Sequence, residues 1–441
     1  MSNPAVSTPA VQRLASAGEG IDAIKNKEDS QDLGSDHSKL STTRPALLSK
    51  NNQGWRRVVR NFSPSWFATT MGTGIVTVIF ASIPWEARWL YWMSVIFFVL
   101  NTGLFALAFG ISVLRYTIWP EIWTVMIEDP NNSLFLGTVP MGFATLIEMW
   151  VHVCVPAWGG WAAYFVFAIW VVDCVVAVTV TVSLGILLMS ASYQRSLDTI
   201  TAAQLLPIAA TIVAAGAGSQ IASVVPNDQM ALGVIIASYV LWGMATPMAF
   251  AVLVIYYQRL ALHKMPPREV IVSAFLPLGP LGFGGFTILN LGKMAAQIFP
   301  RTETLDPLAG KIAYVLGFFV ALIMWGWGLL WLCFALAALW KTARDQRVPF
   351  NMGWWGFTFP LGVYASSTVL IGQELPSRFF RILGTIFGVA VILLWIVIAA
   401  GTVRGAYSGV LFNAPCLAQL KDKADGPRAD AAETEKAGNT S

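Results

Sequence analysis

Ten stretches of the chain are apolar over nearly their whole length and are separated by short polar connections. They fall at about residues 64–83, 89–114, 134–155, 161–189, 203–223, 231–257, 270–298, 312–340, 354–373 and 382–403. Each is near or above the ~20 residues that a helix needs to cross a bilayer, so the pattern predicts ten membrane-spanning helices. Residues 1–61 and 405–441 mix Ser, Ala, Asp and Lys with no apolar periodicity, which predicts two disordered tails around one membrane domain of residues 62–404. Between the second and third stretches, Trp119, Ile122, Trp123 and Met126 interleave with Glu121, Glu128 and Asp129. That spacing predicts a short amphipathic helix at the membrane interface.

The odd-numbered stretches carry a second pattern. Thr138-Val139-Pro140-Met141-Gly142 matches Thr358-Phe359-Pro360-Leu361-Gly362, and Pro280-Leu281-Gly282, Thr70-Met71-Gly72 and Pro207-Ile208-Ala209 vary it. Successive markers stand 67 to 80 residues apart, the regularity of an internal repeat. A proline inside a helix removes one donor and clashes with the carbonyl four residues back. In a bilayer the freed groups must be satisfied by protein or by a wet cavity. The expected unit is therefore a hairpin of one broken and one plain helix, repeated five times. The broken helices surround a central pore and restart near mid-membrane.

Composition and charge agree with an all-α polytopic membrane protein. Hydrophobic residues make up 56% and charged residues 12% of the chain, with a mean hydropathy of +0.62; soluble domains carry ~25% charged residues. The net charge of +4 is spread over the connections and gives no nucleic-acid signal. With the N-terminus in the cytosol, twelve basic residues flank the spans on the inner side and five on the outer, which predicts that both termini are cytosolic. All five marked helices then point their partially positive N-termini inward, favouring an anion that enters from the cytosol. Cys154, Cys174, Cys333 and Cys416 form no C-x-x-C pair and read as small hydrophobes. Paired aspartates, a histidine metal box and a serine with a base are all missing, so neither an enzyme, a metal nor a cofactor is expected.

Few side chains in the spans carry chemistry. Thr70, Thr73, Thr77, Thr138, Thr145, Thr211, Thr287, Thr358 and Ser366, with Phe357 and Phe359, recur near the markers. Taken singly, a membrane threonine bonds back to its own helix or packs closely. Recurring beside Pro140, Pro207, Pro280, Pro360, Gly72, Gly142 and Gly282, the set reads as a pore lining that binds an anion weakly enough to release it. No predicted span contains arginine, the usual bidentate partner of a carboxylate, which favours a small inorganic anion over a dicarboxylate. Glu148 and His152, four residues apart on one helix face, form a candidate proton relay. Local pairing or interface anchoring is the plainer reading for them and for Lys293, and a buried hydrogen bond for Asp173.

Three segments, NFSPSWFATTMGTGIV at Asn61–Val76, LGTVPMG at 136–142 and WWGFTFPLG at 354–362, resemble the fungal sulfite efflux pumps. These belong to the tellurite-resistance/dicarboxylate transporter family, which also contains the plant guard-cell slow anion channels. The resemblance covers about residues 60–405. It implies five helical hairpins with the odd helices lining a pore, a homotrimer in the plasma membrane, and a phenylalanine on the ninth helix that closes the pore. The matching residue is Phe359, with Phe357 as the alternative. The implied activity is export of sulfite or bisulfite, with membrane lipid and the small anion as partners. A C4-dicarboxylate such as malate, or anions in general, is the alternative cargo.

Overall fold

A computed structural model describes residues 54–85, 87–129, 132–190, 197, 200–263, 267–345, 348–414 and 417; most of both predicted tails lies outside these. The described residues belong to one compact unit, Asn51–Ser441, and their regular structure is entirely helical. Among them nine helices are long and apolar enough to cross a membrane by length and composition. In chain order these are α1 (Pro64–Ser82), α2 (Arg88–Ile118), α3 (Ser133–Trp158), α4 (Gly160–Met189), α5 (Ala202–Ile221), α6 (Asp228–His263), α7 (Arg268–Ile298), α8 (Ala309–Asp345) and α10 (Arg378–Tyr407). The remaining long helix, α9 (Trp355–Glu374), spans 20 residues but is less apolar, since Gly356, Ser366, Ser367 and Gln373 dilute it. Two short helices, Gly54–Arg60 and Glu121–Glu128, pack together through Val59 and Ile122 near Trp119.

Burial divides the long helices into two classes. Between 72 and 89% of the apolar core of α1, α3, α5 and α7 is buried, against 22 to 39% for α2, α4, α6, α8 and α10. In α9 nearly every residue from Trp355 to Gly372 is buried. The odd helices form an inner ring in which α1 packs on α3, α3 on α5, α5 on α7, α7 on α9 and α9 back on α1. Each even helix lies outside the ring against its own hairpin partner, a neighbouring odd helix, or both.

Small residues bring the ring helices together. At each of the five interfaces a glycine faces the neighbour so closely that a Cβ would collide: Gly142 with Thr70, Gly137 with Leu206, Gly216 with Phe283, Gly282 with Tyr364 and Gly362 with Ile75. Without a hydrophobic drive between helices in lipid, close backbone approach of this kind supplies the packing energy.

The prolines act differently from the sequence expectation. Each odd helix opens with a 3-10 turn, at Pro64–Trp66, Ser133–Gly137, Ala202–Gln204, Arg268–Phe275 and Met352–Trp354. The α-helical parts then begin at Thr138, Leu205 and Leu278, so Pro140, Pro207 and Pro280 fall in first turns. There the fixed φ of proline suits the start of an α-helix, and the described helices do not restart at mid-span. Of the four marker prolines, Pro360 alone lies beyond the first turn of its α-helical part. The "plain" α6 carries Pro247 in its interior, and α3 contains a π turn at Trp150–Cys154 followed by Pro156, the insertion that a proline commonly accompanies.

Candidate functional site

Two cavities lie at opposite ends of the inner ring. The first, about 770 Å³, is lined by the opening residues of all five odd helices, including Ser65, Thr138, Leu206, Leu276 and Gly356. The second, about 550 Å³, is lined near their C-terminal ends by residues that include Val78, His152, Gln220, Lys293 and Ser366. The odd helices therefore run parallel, and all five positive dipole ends converge on the first cavity. At four of the five 3-10 starts no side chain caps the backbone; only Asn351 does so, accepting from the Gly353 N–H. Helix starts of this kind, with the positive dipole end behind them, favour an anion. Arg259 and Glu269 also line this cavity.

No lining residue is shared by the two cavities, so side chains fill the middle of the ring. Helical spacing identifies them. On α9, Gly356 faces the first cavity and Ser366 the second, and Phe359 and Val363 follow Gly356 by three and seven residues on the same face. On α1, Ile75 stands between Met71 of the first cavity and Val78 of the second; on α7, Phe283 stands between Leu276 and Phe286. All four side chains are buried. Phe357 points elsewhere, edge-on to Phe275 with centroids 4.9 Å apart and to Trp354 at 5.7 Å.

The predicted hydroxyls are buried, and most are already engaged. Thr70, Thr138, Thr145, Thr287 and Thr358 donate to the carbonyls of Phe67, Phe135, Gly142, Phe283 and Trp355 at 2.7–2.9 Å. Thr77 donates to the Thr73 carbonyl, the Thr73 hydroxyl accepts from Trp395 Nε1 at 3.0 Å, and Thr211 shares a 2.7 Å bond with Thr181 of α4. Ser366 differs: it is 4% exposed and its hydroxyl has no partner. Gly72, Gly142 and Gly282 lie at helix–helix contacts, Gly72 against Trp355 and Thr358.

Glu148 and His152 are not joined side chain to side chain. The His152 ring bonds the backbone carbonyl of Glu148 at 2.8 Å, while the Glu148 carboxyl pairs with Gln220. Asp173 is buried, but neither carboxyl oxygen has a hydrogen-bond partner among the described residues, so the expected buried hydrogen bond is corrected. Lys293 is locally paired, 2.7 Å from Glu374 Oε1.

Three polar residues escaped the sequence reading. Glu374 stands one residue beyond the predicted ninth span, yet it completes α9 and accepts from both Lys293 and Tyr314. Arg115 and Arg259 fall beyond predicted span ends, yet both lie within continuous helices and are buried. Arg115 donates to the Phe62 carbonyl at 2.6 Å. The premise that the spans hold no arginine is thereby corrected: helices continue past the apolar edge, and one of these arginines lines a cavity. The polar rather than hydrophobic half of a helix end was the missing signal.

Comparison with known proteins bears on what this ring carries. Residues 61–403 match the family described as SLAC1, voltage-dependent anion channel. The sulfite efflux pump SSU1 of Arthroderma benhamiae is 46% identical over 355 residues, covering 80% of this chain and 93% of that protein. The sulfite efflux pump SSU1 of Saccharomyces cerevisiae is 24% identical over 414 residues, covering 81% and 90%. The malic acid transport protein of Schizosaccharomyces pombe is 26% identical over 360 residues, covering 78% of each chain.

Proposed function

The chain belongs to the SLAC1 voltage-dependent anion channel family, and we propose that it exports sulfite or bisulfite through the inner ring. In this reading α9 crosses the membrane as well, giving ten crossings, and the first cavity opens to the cytosol with both termini on that side. The anion is received by the dipole ends of the helix starts and Arg259 rather than by threonine hydroxyls, most of which already donate to backbone carbonyls. It passes the ring's middle when Phe359 swings aside, which needs only a side-chain rotation or a small bend at Pro360. An inside-negative potential then favours exit by ~2.3 kcal/mol per charge per 100 mV. The plasma membrane and a homotrimer complete the reading, both on the strength of the family resemblance.

The observation that carries the proposal is the alignment of two cavities along one ring of parallel helices, with five dipole ends at one mouth. Sulfite is preferred to malate because the sulfite efflux relatives reach 46% identity and the malate carrier 26%. Arg259 favours the second reading, since a guanidinium suits a carboxylate. Reconstituted vesicles loaded with sulfite should release it, and a tenfold excess of malate should slow that release by less than twofold. Malate release with no sulfite release reverses the assignment.

A further inference from the structure

The second cavity holds polar groups to which the export path above assigns no step. Its floor is Ser366, two helical turns beyond Phe359 on the same face of α9. Most inner-ring hydroxyls spend their protons on a carbonyl of their own helix, as Thr70, Thr287 and Thr358 do. The Ser366 hydroxyl is also buried and has no partner among the described residues. A buried donor left unmade costs ~1–3 kcal/mol, and the cavity is the space from which a partner can come.

Nearer the mouth stands Lys293, among the described residues the one lysine or arginine lining this cavity. One of its three N–H donors is spent on Glu374 Oε1 at 2.7 Å, and Glu374 Oε2 accepts from the Tyr314 hydroxyl at 2.5 Å. Both carboxylate oxygens are thus held by protein, which fixes the ammonium in place and offsets its charge. Asn290, one turn before Lys293, lies between the two levels and donates to Ser219.

Resting on the export reading, we propose that this cavity is a two-station exit site for a small oxyanion. The Ser366 hydroxyl takes the anion as it clears Phe359, and Lys293 takes it at the mouth. Glu374 and Tyr314 act as positioning residues that keep Lys293 a weak ligand. A strong, unopposed cation would hold the anion, whereas conduction needs sites that also let go.

The test is titration of the purified, detergent-solubilised full chain with sodium sulfite, and in parallel with sodium malate, followed by calorimetry. Ser366→Ala should weaken sulfite binding by roughly three- to tenfold, the worth of one hydrogen bond, and Lys293→Gln by roughly tenfold. Glu374→Gln should tighten binding about fivefold and slow release from vesicles. Opposite effects from the two members of one ion pair are not what a purely structural tie would give. Should Lys293→Gln fail to fold, Ser366→Ala and Glu374→Gln still carry the test. Equal constants for wild type and all folded variants overturn the proposal, while sulfite release by wild-type vesicles leaves the export reading intact. If the same order emerges with malate and not with sulfite, the exit site stands and the sulfite assignment falls.

Discussion

Gly282 of α7 sits so close to Tyr364 of α9 that a Cβ on it would lie 2.8 Å from the tyrosine Cα and 2.9 Å from its nitrogen. The obstacle is backbone, so it cannot rotate away. Gly282→Ala should therefore push the two helices apart, at the ~1–3 kcal/mol typical of overpacking. A lower unfolding temperature and less monodisperse protein in detergent are expected. An unchanged unfolding temperature would mean that the ring tolerates a wider spacing at this crossing.

Thr358 lies on the opposite footing. Its hydroxyl already donates to the Trp355 carbonyl at 2.9 Å, so Thr358→Val removes one local bond of about 1 kcal/mol and nothing offered to an anion. Sulfite flux per inserted molecule should stay within about twofold of wild type. A tenfold loss would show that the anion draws on this hydroxyl.

The spans were legible because a bilayer demands long apolar runs, and the repeat because each odd helix must pack small residues against two neighbours. Gly142, Gly282 and Gly362 are that packing, although the position of Gly142 and Gly282 beside the markers reads in sequence as a pore lining. The prolines differ by position: Pro140 and Pro280 occupy first turns, which suit proline, while Pro360 lies inside the continuous α9. Hydropathy also hid the polar ends. Arg259 and Glu374 lie just beyond apolar edges that the helices themselves ignore, and the partners of Glu374 come from positions 60 and 81 residues away. Asp173 shows the converse case, since burial was readable and the missing partner was not.

Arg259 gives the cargo question a direct handle. It is buried and lines the first cavity, so Arg259→Gln should raise the sulfite concentration for half-maximal release by about tenfold, the worth of a charged hydrogen bond, with little change in maximal release. An unchanged concentration dependence would remove Arg259 from the anion's path.

The proposed orientation puts both termini and the first cavity on the cytosolic side. Tags at either terminus should bind antibody only after the cell membrane is permeabilised. Labelling of the N-terminus in intact cells would point the five parallel helices the other way, with the first cavity facing outward.

In the proposed mechanism Phe359 closes a ring that is otherwise ready to conduct. Phe359→Ala removes the ring from the face joining Gly356 to Ser366, whereas Phe357→Ala removes one packed on Phe275. Either truncation can cost ~3–5 kcal/mol as lost packing, so flux must be normalised to inserted protein. Vesicles carrying Phe359→Ala should pass sulfite faster than wild type and leak in both directions, while Phe357→Ala stays at or below the wild-type rate. Unchanged or slower flux in Phe359→Ala would contradict the account, and faster flux in Phe357→Ala alone would move the gate to the other phenylalanine.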